Sequence, residues 1–155
     1  MITAYRIGKQ KYAHDPLSGL GGLSVGGRWH HKGLRVVYCA GHLSLASLEF
    51  FVHFSKLQSA IPLVSFELVI PKPLIEELRA TQLPADWDAL PPSSSTADLG
   101  TAWLKSLRTA VLRVPSVVSP GEYNFLINPA HPNAGRIKVA ATSLFTYDSR
   151  MWKDR

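Results

Sequence analysis

The stretch Leu63-Val64-Ser65-Phe66-Glu67-Leu68-Val69-Ile70 places apolar residues at every second position, against Ser65 and Glu67. A period of two is typical of a β-strand that buries one face. Pro71 and Pro73 follow and end the strand, because proline cannot donate to a hydrogen-bonded ladder. The stretch therefore predicts a sheet that is covered on at least one face.

The segments around this strand predict a fold of mixed secondary structure. Arg35–Ala40 is β-branched and aromatic, which favours a short buried strand, and Ser44–Phe54 has the apolar spacing of a helix. Later in the chain we expect a short helix and three further strands, over Leu99–Leu107, Ala110–Val118 (interrupted by Pro115), Glu122–Asn128 and Arg136–Ala141. Strands outnumber helices, and most connections are too short for helical crossovers. The pattern therefore predicts an α+β fold with a mixed or antiparallel sheet and flanking helices.

Two segments are predicted to lack regular structure. Gly19–Gly33 contains six glycines, a density that opposes helix and strand and lets the backbone approach a ligand closely. Thr81–Asp98 is rich in Pro, Ser, Ala and Asp and has Trp87 as its large apolar anchor. We interpret it as a surface excursion rather than a domain boundary, because the strand after it needs a partner sheet.

Composition limits the class of protein. With 155 residues, of which 46% are hydrophobic, the chain is predicted to form one domain, residues 1–155, around one core. No apolar run approaches the roughly 20 residues of a membrane span. The N-terminus lacks the pattern of a secretory signal, and the single Cys39 cannot form an internal disulfide, so a cytoplasmic location is expected. The six histidines lack metal-binding spacing, so no metal is expected.

The net positive charge favours an anionic partner but does not identify its class. The formal net charge is +6 and the sequence pI is about 9.7, which suits a nucleic acid, a phosphorylated small molecule or an acidic protein. The cations are scattered singly rather than clustered, which weighs against nucleic acid.

Glu49 is the first candidate for chemistry. On a helix it shares a face with residues that favour burial, Leu45, Ala46 and Val52. A carboxylate on such a face indicates a functional role. The alternative is a solvated glutamate paired with His53 four residues on.

Arg28, Tyr38 and Ser116 are further candidates, each with a structural alternative. Arg28 ends the glycine-rich stretch, where a guanidinium can fork onto a phosphate or stack on Trp29. Tyr38 is either a ligand contact or a core residue with a satisfied hydroxyl. Ser116 interrupts an apolar run without the G-x-S-x-G elbow of hydrolases, which also fits a turn serine.

In order along the chain, several segments together resemble the RES domain, a family of bacterial toxins named for its arginine, glutamate and serine. They are Tyr5-Arg6, Gly26-Gly27-Arg28-Trp29 with Gly33, Val37-Tyr38, Ala46-Ser47-Leu48-Glu49, Leu112-Arg113-Val114-Pro115-Ser116, Asn124-Phe125-Leu126-Ile127-Asn128-Pro129-Ala130-His131-Pro132 and Phe145-Thr146-Tyr147-Asp148-Ser149-Arg150. One departure is His30-His31 after Trp29, where an asparagine is expected first.

The resemblance implies an ADP-ribosyltransferase-like fold and NAD as the substrate rather than a cofactor. Nicotinamide would be released and ADP-ribose passed to water or inorganic phosphate. Glu49, Arg28, Tyr38 and Ser116 would form the active site, and Arg6, Arg28, Tyr38 and Ser116 would contact NAD. The resemblance also implies a cognate Xre-type antitoxin, through which any contact with nucleic acid would be indirect.

Two alternatives stay open at the level of sequence. The first is an ADP-ribosyltransferase that modifies a specific macromolecule with the same site. The second is a non-catalytic basic module that binds nucleic acid.

Overall fold

In the computed structural model, which describes residues 1–153, the strand Leu63–Ile70 forms with the bounds that its pattern predicts. It belongs to a sheet whose strands, in chain order, are β1 (Ile2–Lys9), β2 (Val37–Ala40), β3 (Leu63–Ile70), β4 (Ile75–Glu77), β5 (Val111–Pro115), β6 (Tyr123–Ile127) and β7 (Lys138–Phe145). The α-helices of the described residues are α1 (Gly21–Ser24), α2 (Leu43–Phe51) and α3 (Ser94–Ser106).

The sheet has the order β4-β5-β6-β2-β1-β3-β7. β4 and β5 run parallel, whereas every other neighbouring pair is antiparallel. The prediction of an α+β fold with a mixed sheet is therefore confirmed.

The sheet is nearly divided between β1 and β2. β1 pairs with β3 along its whole length, from Ile2–Ile70 to Lys9–Leu63, but with β2 only at Tyr5 and Ala40. Beyond that pair the two strands separate, so that backbone groups and side chains on both sides of the gap are available for other contacts.

Hydrophobic clusters cover both faces of the sheet. Along β6, Phe125 and Ile127 pack in one cluster, whereas the intervening Leu126 packs in a second with Trp103 of α3. A third cluster places Leu45 and Ala46 of α2 over the junction of β1 and β2. Helix α2 therefore lies directly over the place where the sheet divides.

The structure corrects several predicted boundaries. α2 ends at Phe51 rather than Phe54, and α3 begins at Ser94, inside the segment predicted to lack regular structure. Buried Thr96 and Ala97 account for the earlier start of α3. Packing against the core stabilises this first turn as helix, although the serine-rich composition of the segment does not predict one. Trp87 does pack against the cluster around α3, as predicted for an anchor.

Other elements were missed or displaced. β1 and β4 were not predicted, and the glycine-rich stretch contains the single-turn helix α1. β7 begins at Lys138 and extends to Phe145, beyond the predicted end at Ala141. The strands β1, β4 and β7 depend on pairing with distant strands rather than on local pattern. Among residues 1–153, no helix has both the length and the apolar character needed to cross a membrane.

Candidate active site

The gap between β1 and β2 opens into a cavity of about 280 Å³. Its walls come from β1 through Arg6, β2 through Tyr38, α2 through Glu49 and β6 through Asn124. The cavity therefore lies where the sheet divides and α2 covers it.

Glu49 is held by two hydrogen bonds to one carboxylate oxygen. Ser116 Oγ donates to Glu49 Oε1 at 2.7 Å, and Asn124 Nδ2 donates to the same atom at 2.5 Å. No residue among positions 1–153 donates to Oε2. The partners of this carboxylate are therefore Ser116 and Asn124 rather than His53, and one oxygen is left for other contacts.

Ser116 is both a turn residue and a partner of the carboxylate. It follows Pro115, the last residue of β5, and is only 2% exposed. Its Oγ accepts from the backbone N–H of Ser119 at 3.1 Å while donating to Glu49. The turn thus fixes the direction in which the hydroxyl hydrogen points.

Arg6 brings a positive charge into the gap. Its Nη1 donates to the backbone carbonyl of Tyr38 at 3.1 Å, an acceptor that a continuous β1–β2 ladder would have used. Burial lowers the pKa of the Arg6 guanidinium. Burial also raises the pKa of the neighbouring Cys39 thiol, to about 12, so this thiol supplies no counter-charge near neutral pH. Among the described residues no carboxylate forms an ion pair with Arg6, which leaves its remaining donors suited to an anion.

The Tyr38 hydroxyl points toward the glycine-rich loop. The backbone N–H of Trp29 donates to it at 3.3 Å, and it lies 2.8 Å from His30 Nδ1. His30 Nε2 lies 3.1 Å from the Val25 carbonyl, which can only accept, so Nε2 carries the hydrogen and Tyr38 donates to Nδ1. Burial raises the pKa of the Tyr38 phenol and lowers that of His30, which keeps both groups neutral.

The loop fits closely around this tyrosine. A Cβ on Gly27 would come within 2.8 Å of the Tyr38 hydroxyl oxygen, so a glycine is needed there. The structure therefore shows the tyrosine hydroxyl as an anchor for the loop that carries Arg28.

Arg28 bridges two loops. Its Nη1 donates to the backbone carbonyls of Trp87 at 2.8 Å and Ala89 at 3.0 Å. Arg28 is not among the residues that line the 280 Å³ cavity. The bridge uses one end of the guanidinium and leaves Nε and Nη2 as donors, since arginine has five N–H groups in a planar fork.

The structure brings some of the predicted residues together and separates others. Glu49 is hydrogen-bonded to Ser116, and Arg6 to the backbone of Tyr38, whereas the Arg28 side chain is directed toward the 87–89 segment. Sequence reasoning missed Asn124 as an individual site residue, although the Asn-x-x-x-Asn-Pro-x-His run that it begins was recognised. His30 was noted only as a departure from the family pattern after Trp29, and no role was predicted for it.

Comparison with known proteins assigns the family. The family model described as "RES domain" matches residues 3–148. This chain belongs to the RES-domain family of toxins. The matched range includes Arg28, Glu49 and Ser116, whose roles stay predictions.

RES-domain relatives match this chain over 90% or more of its length. A protein of Sphingobium sp. (strain YBL2) named "Prs ADP-ribosylating toxin" is 40% identical over 145 residues, covering 90% of this chain and 89% of that protein. "Toxin Res" of Yersinia enterocolitica is 34% identical over 151 residues, covering 97% and 99%. "Toxin Res" of Photorhabdus laumondii is 35% identical over 153 residues, covering 98% of each chain.

The RES fold also has a solved counterpart. A chain from the crystal structure of the M. tuberculosis MbcT–MbcA toxin–antitoxin complex superposes with a TM-score of 0.74 at 17% identity, covering 94% of this chain and 84% of that chain. At this identity the likeness establishes the shared fold.

Proposed function

We propose that this RES-domain toxin degrades NAD by cleaving the bond between nicotinamide and ribose, and that water or inorganic phosphate accepts the ADP-ribose. The observation that carries the proposal is the Glu49 carboxylate, held at Oε1 by two donors and free at Oε2, in a cavity that also contains the Arg6 guanidinium.

The chemistry of NAD suits a carboxylate without a general acid. The nicotinamide ring is a cationic pyridinium, so when the C1′–N bond breaks its electron pair returns to the ring nitrogen and nicotinamide leaves neutral. Positive charge develops on the ribose as an oxocarbenium ion. A fixed carboxylate stabilises that charge, as in glycoside cleavage. We assign this role to Glu49 and expect its free Oε2 to face the ribose.

The size of the cavity fits one end of the dinucleotide. Its 280 Å³ lies just below the roughly 300–1,000 Å³ of small-molecule sites, so the nicotinamide-ribose end would enter and the remainder would lie along the opening. Arg6 and Arg28 would bind the pyrophosphate, whose charges match a planar guanidinium. For Arg28, the bonds to Trp87 and Ala89 would orient the group while Nε and Nη2 contact phosphate.

Tyr38 and Ser116 complete the proposed site in different ways. Ser116 would hold Glu49 and border the nicotinamide-ribose end. Tyr38 would support the Arg28 loop through its hydroxyl and present its ring or backbone to the substrate.

A second candidate function is transfer of ADP-ribose to a macromolecule. The observation that favours it is the 40% identity to a protein named as an ADP-ribosylating toxin. The cleavage step is the same in both functions, and only the acceptor differs.

We further propose that the toxin acts in the cytoplasm and that a cognate antitoxin protein of the Xre type neutralises it. The structural likeness to a toxin solved as a toxin–antitoxin complex supports the part of this proposal that concerns an antitoxin partner. Contact with nucleic acid would then be indirect, through the antitoxin.

Product analysis tests these functions against one another. Purified protein is incubated with NAD, with and without inorganic phosphate, and the nicotinamide and ADP-ribose products are separated. We expect free nicotinamide together with ADP-ribose or its phosphorylated product. Labelled NAD added with a cell lysate would instead mark a protein or nucleic-acid band if a macromolecule is the acceptor.

The consequence in cells is tested by induced expression without an antitoxin. We expect growth arrest with a fall in cellular NAD, because many pathways draw on that pool. Growth arrest with normal NAD levels would exclude NAD depletion as the mechanism.

A further inference from the structure

Asn124 carries a buried polar atom without a partner. Within the part of the chain that the structure describes, its Oδ1 is buried with no hydrogen-bond donor. An unsatisfied buried oxygen destabilises a fold, so native structures keep such atoms where another requirement is stronger.

Its strand neighbours supply no donor. In the sheet register Asn124 lies opposite Ala40 of β2 and Val114 of β5, both with apolar side chains. An apolar residue of similar size would suit this position better if packing alone decided it.

The contact with Glu49 explains which way the amide points. A carboxylate can only accept, so the Nδ2 end must face Glu49 Oε1, and Oδ1 is turned to the side that has no donor. Flipping the amide would set two acceptors against each other. Glu49 thus determines the orientation of the Asn124 amide, and this orientation leaves Asn124 Oδ1 without a donor.

Ser116 alone leaves the carboxylate free to turn. One donor at 2.7 Å, from the turn after β5, fixes the position of Oε1, whereas a second donor at 2.5 Å, from β6, also fixes the direction in which Oε2 projects. We infer that Asn124 is a positioning residue that aims the Glu49 carboxylate into the cavity and is retained for this purpose despite its unpaired oxygen. This inference rests on the proposed function, in which Glu49 faces the reacting ribose.

Two variants of Asn124 separate positioning from packing. Asn124→Asp keeps the shape of the side chain but replaces the donor with a group that opposes the carboxylate. Asn124→Leu has a similar size and removes both the donor and the unpaired oxygen. Ser116→Ala is the matched control, because it removes the other donor to the same Oε1 from a residue whose hydroxyl is fully satisfied.

We expect both Asn124 variants to lower kcat for NAD by about ten- to a hundredfold with KM nearly unchanged, since misdirecting a catalytic group weakens the transition state more than substrate binding. Asn124→Leu should melt at or above the temperature of the parent protein, because an unsatisfied buried oxygen is lost. Ser116→Ala should melt at a lower temperature and also lose kcat.

Specific results would overturn the inference. Parental kcat in Asn124→Asp or Asn124→Leu, or a rise in KM with kcat unchanged, would show that Asn124 does not aim Glu49. A lower melting temperature for Asn124→Leu, matching that of Ser116→Ala, would show that its contacts serve the fold. A parent protein that releases no nicotinamide from NAD would instead refute the proposed function itself.

Discussion

Ser116 Oγ lies 2.7 Å from Oε1 of Glu49, although 67 positions separate the two residues in the chain. The contact joins α2 to the turn that follows β5, across a face of the half-sheet formed by β4, β5, β6 and β2. A serine in a turn and a glutamate on an apolar helix face are unremarkable separately. Their hydrogen bond makes them one structural unit.

Replacing Glu49 with Gln tests the charge alone. The side-chain carbonyl of glutamine can still accept from Ser116 and Asn124, so we expect the fold and the melting temperature to be kept. Loss of the negative charge facing the oxocarbenium ion should lower NAD turnover by about a hundredfold or more. The measurement is nicotinamide release by folded protein, and turnover at the parental rate would assign Glu49 a structural role.

Replacing Arg28 with Lys separates charge from geometry. A single ammonium cannot hold the Trp87 and Ala89 carbonyls and also fork onto a phosphate, so we expect NAD affinity to fall about tenfold and stability by about 1 kcal/mol. Calorimetric NAD binding and thermal melting are measured on the same preparation. A lower melting temperature with unchanged NAD affinity would show that Arg28 only tethers the two loops. The pyrophosphate contact would then be assigned to Arg6.

Replacing Tyr38 with Phe tests the anchor of the glycine-rich loop. The change leaves buried His30 Nδ1 without its donor and the Trp29 N–H without its acceptor, so the free energy of unfolding should fall by about 1–3 kcal/mol. Denaturant unfolding measures this loss. Unchanged stability would show that the hydroxyl is free for the substrate rather than engaged in the loop.

The stability of the protein should depend on pH through His30. Burial lowers the pKa of this residue in the fold from its ordinary value of 6.5, so as the pH falls below about 6.5 the unfolded chain takes up a proton before the native state does. The free energy of unfolding should therefore decrease as the pH falls below about 6.5, and the contribution of His30 should reach its full value above that pH. His30→Gln should flatten the decrease when melting temperature is followed from pH 8 to pH 5. An equal decrease in the variant and the parent would assign the effect to other groups.

Much of the fold was predictable because its elements have strong local patterns. The period-two stretch gave β3 its observed bounds, and the segments around β2, β5 and β6 each contain a strand. β1 was missed because its pattern is weak and it is stabilised by pairing along all of β3. The start of α3 was missed because burial of Thr96 overrides its composition.

Residue types and their spacing were enough to predict the family, the class of fold and the candidate side chains, because these features can be compared along the chain. The grouping of these candidates came from the folded structure. It divided the sheet beside Arg6, added Asn124 to Ser116 as a donor to Glu49, and turned the Tyr38 hydroxyl toward His30. Such contacts join residues that are distant in the chain and are set by strand order and register, which a linear pattern does not contain.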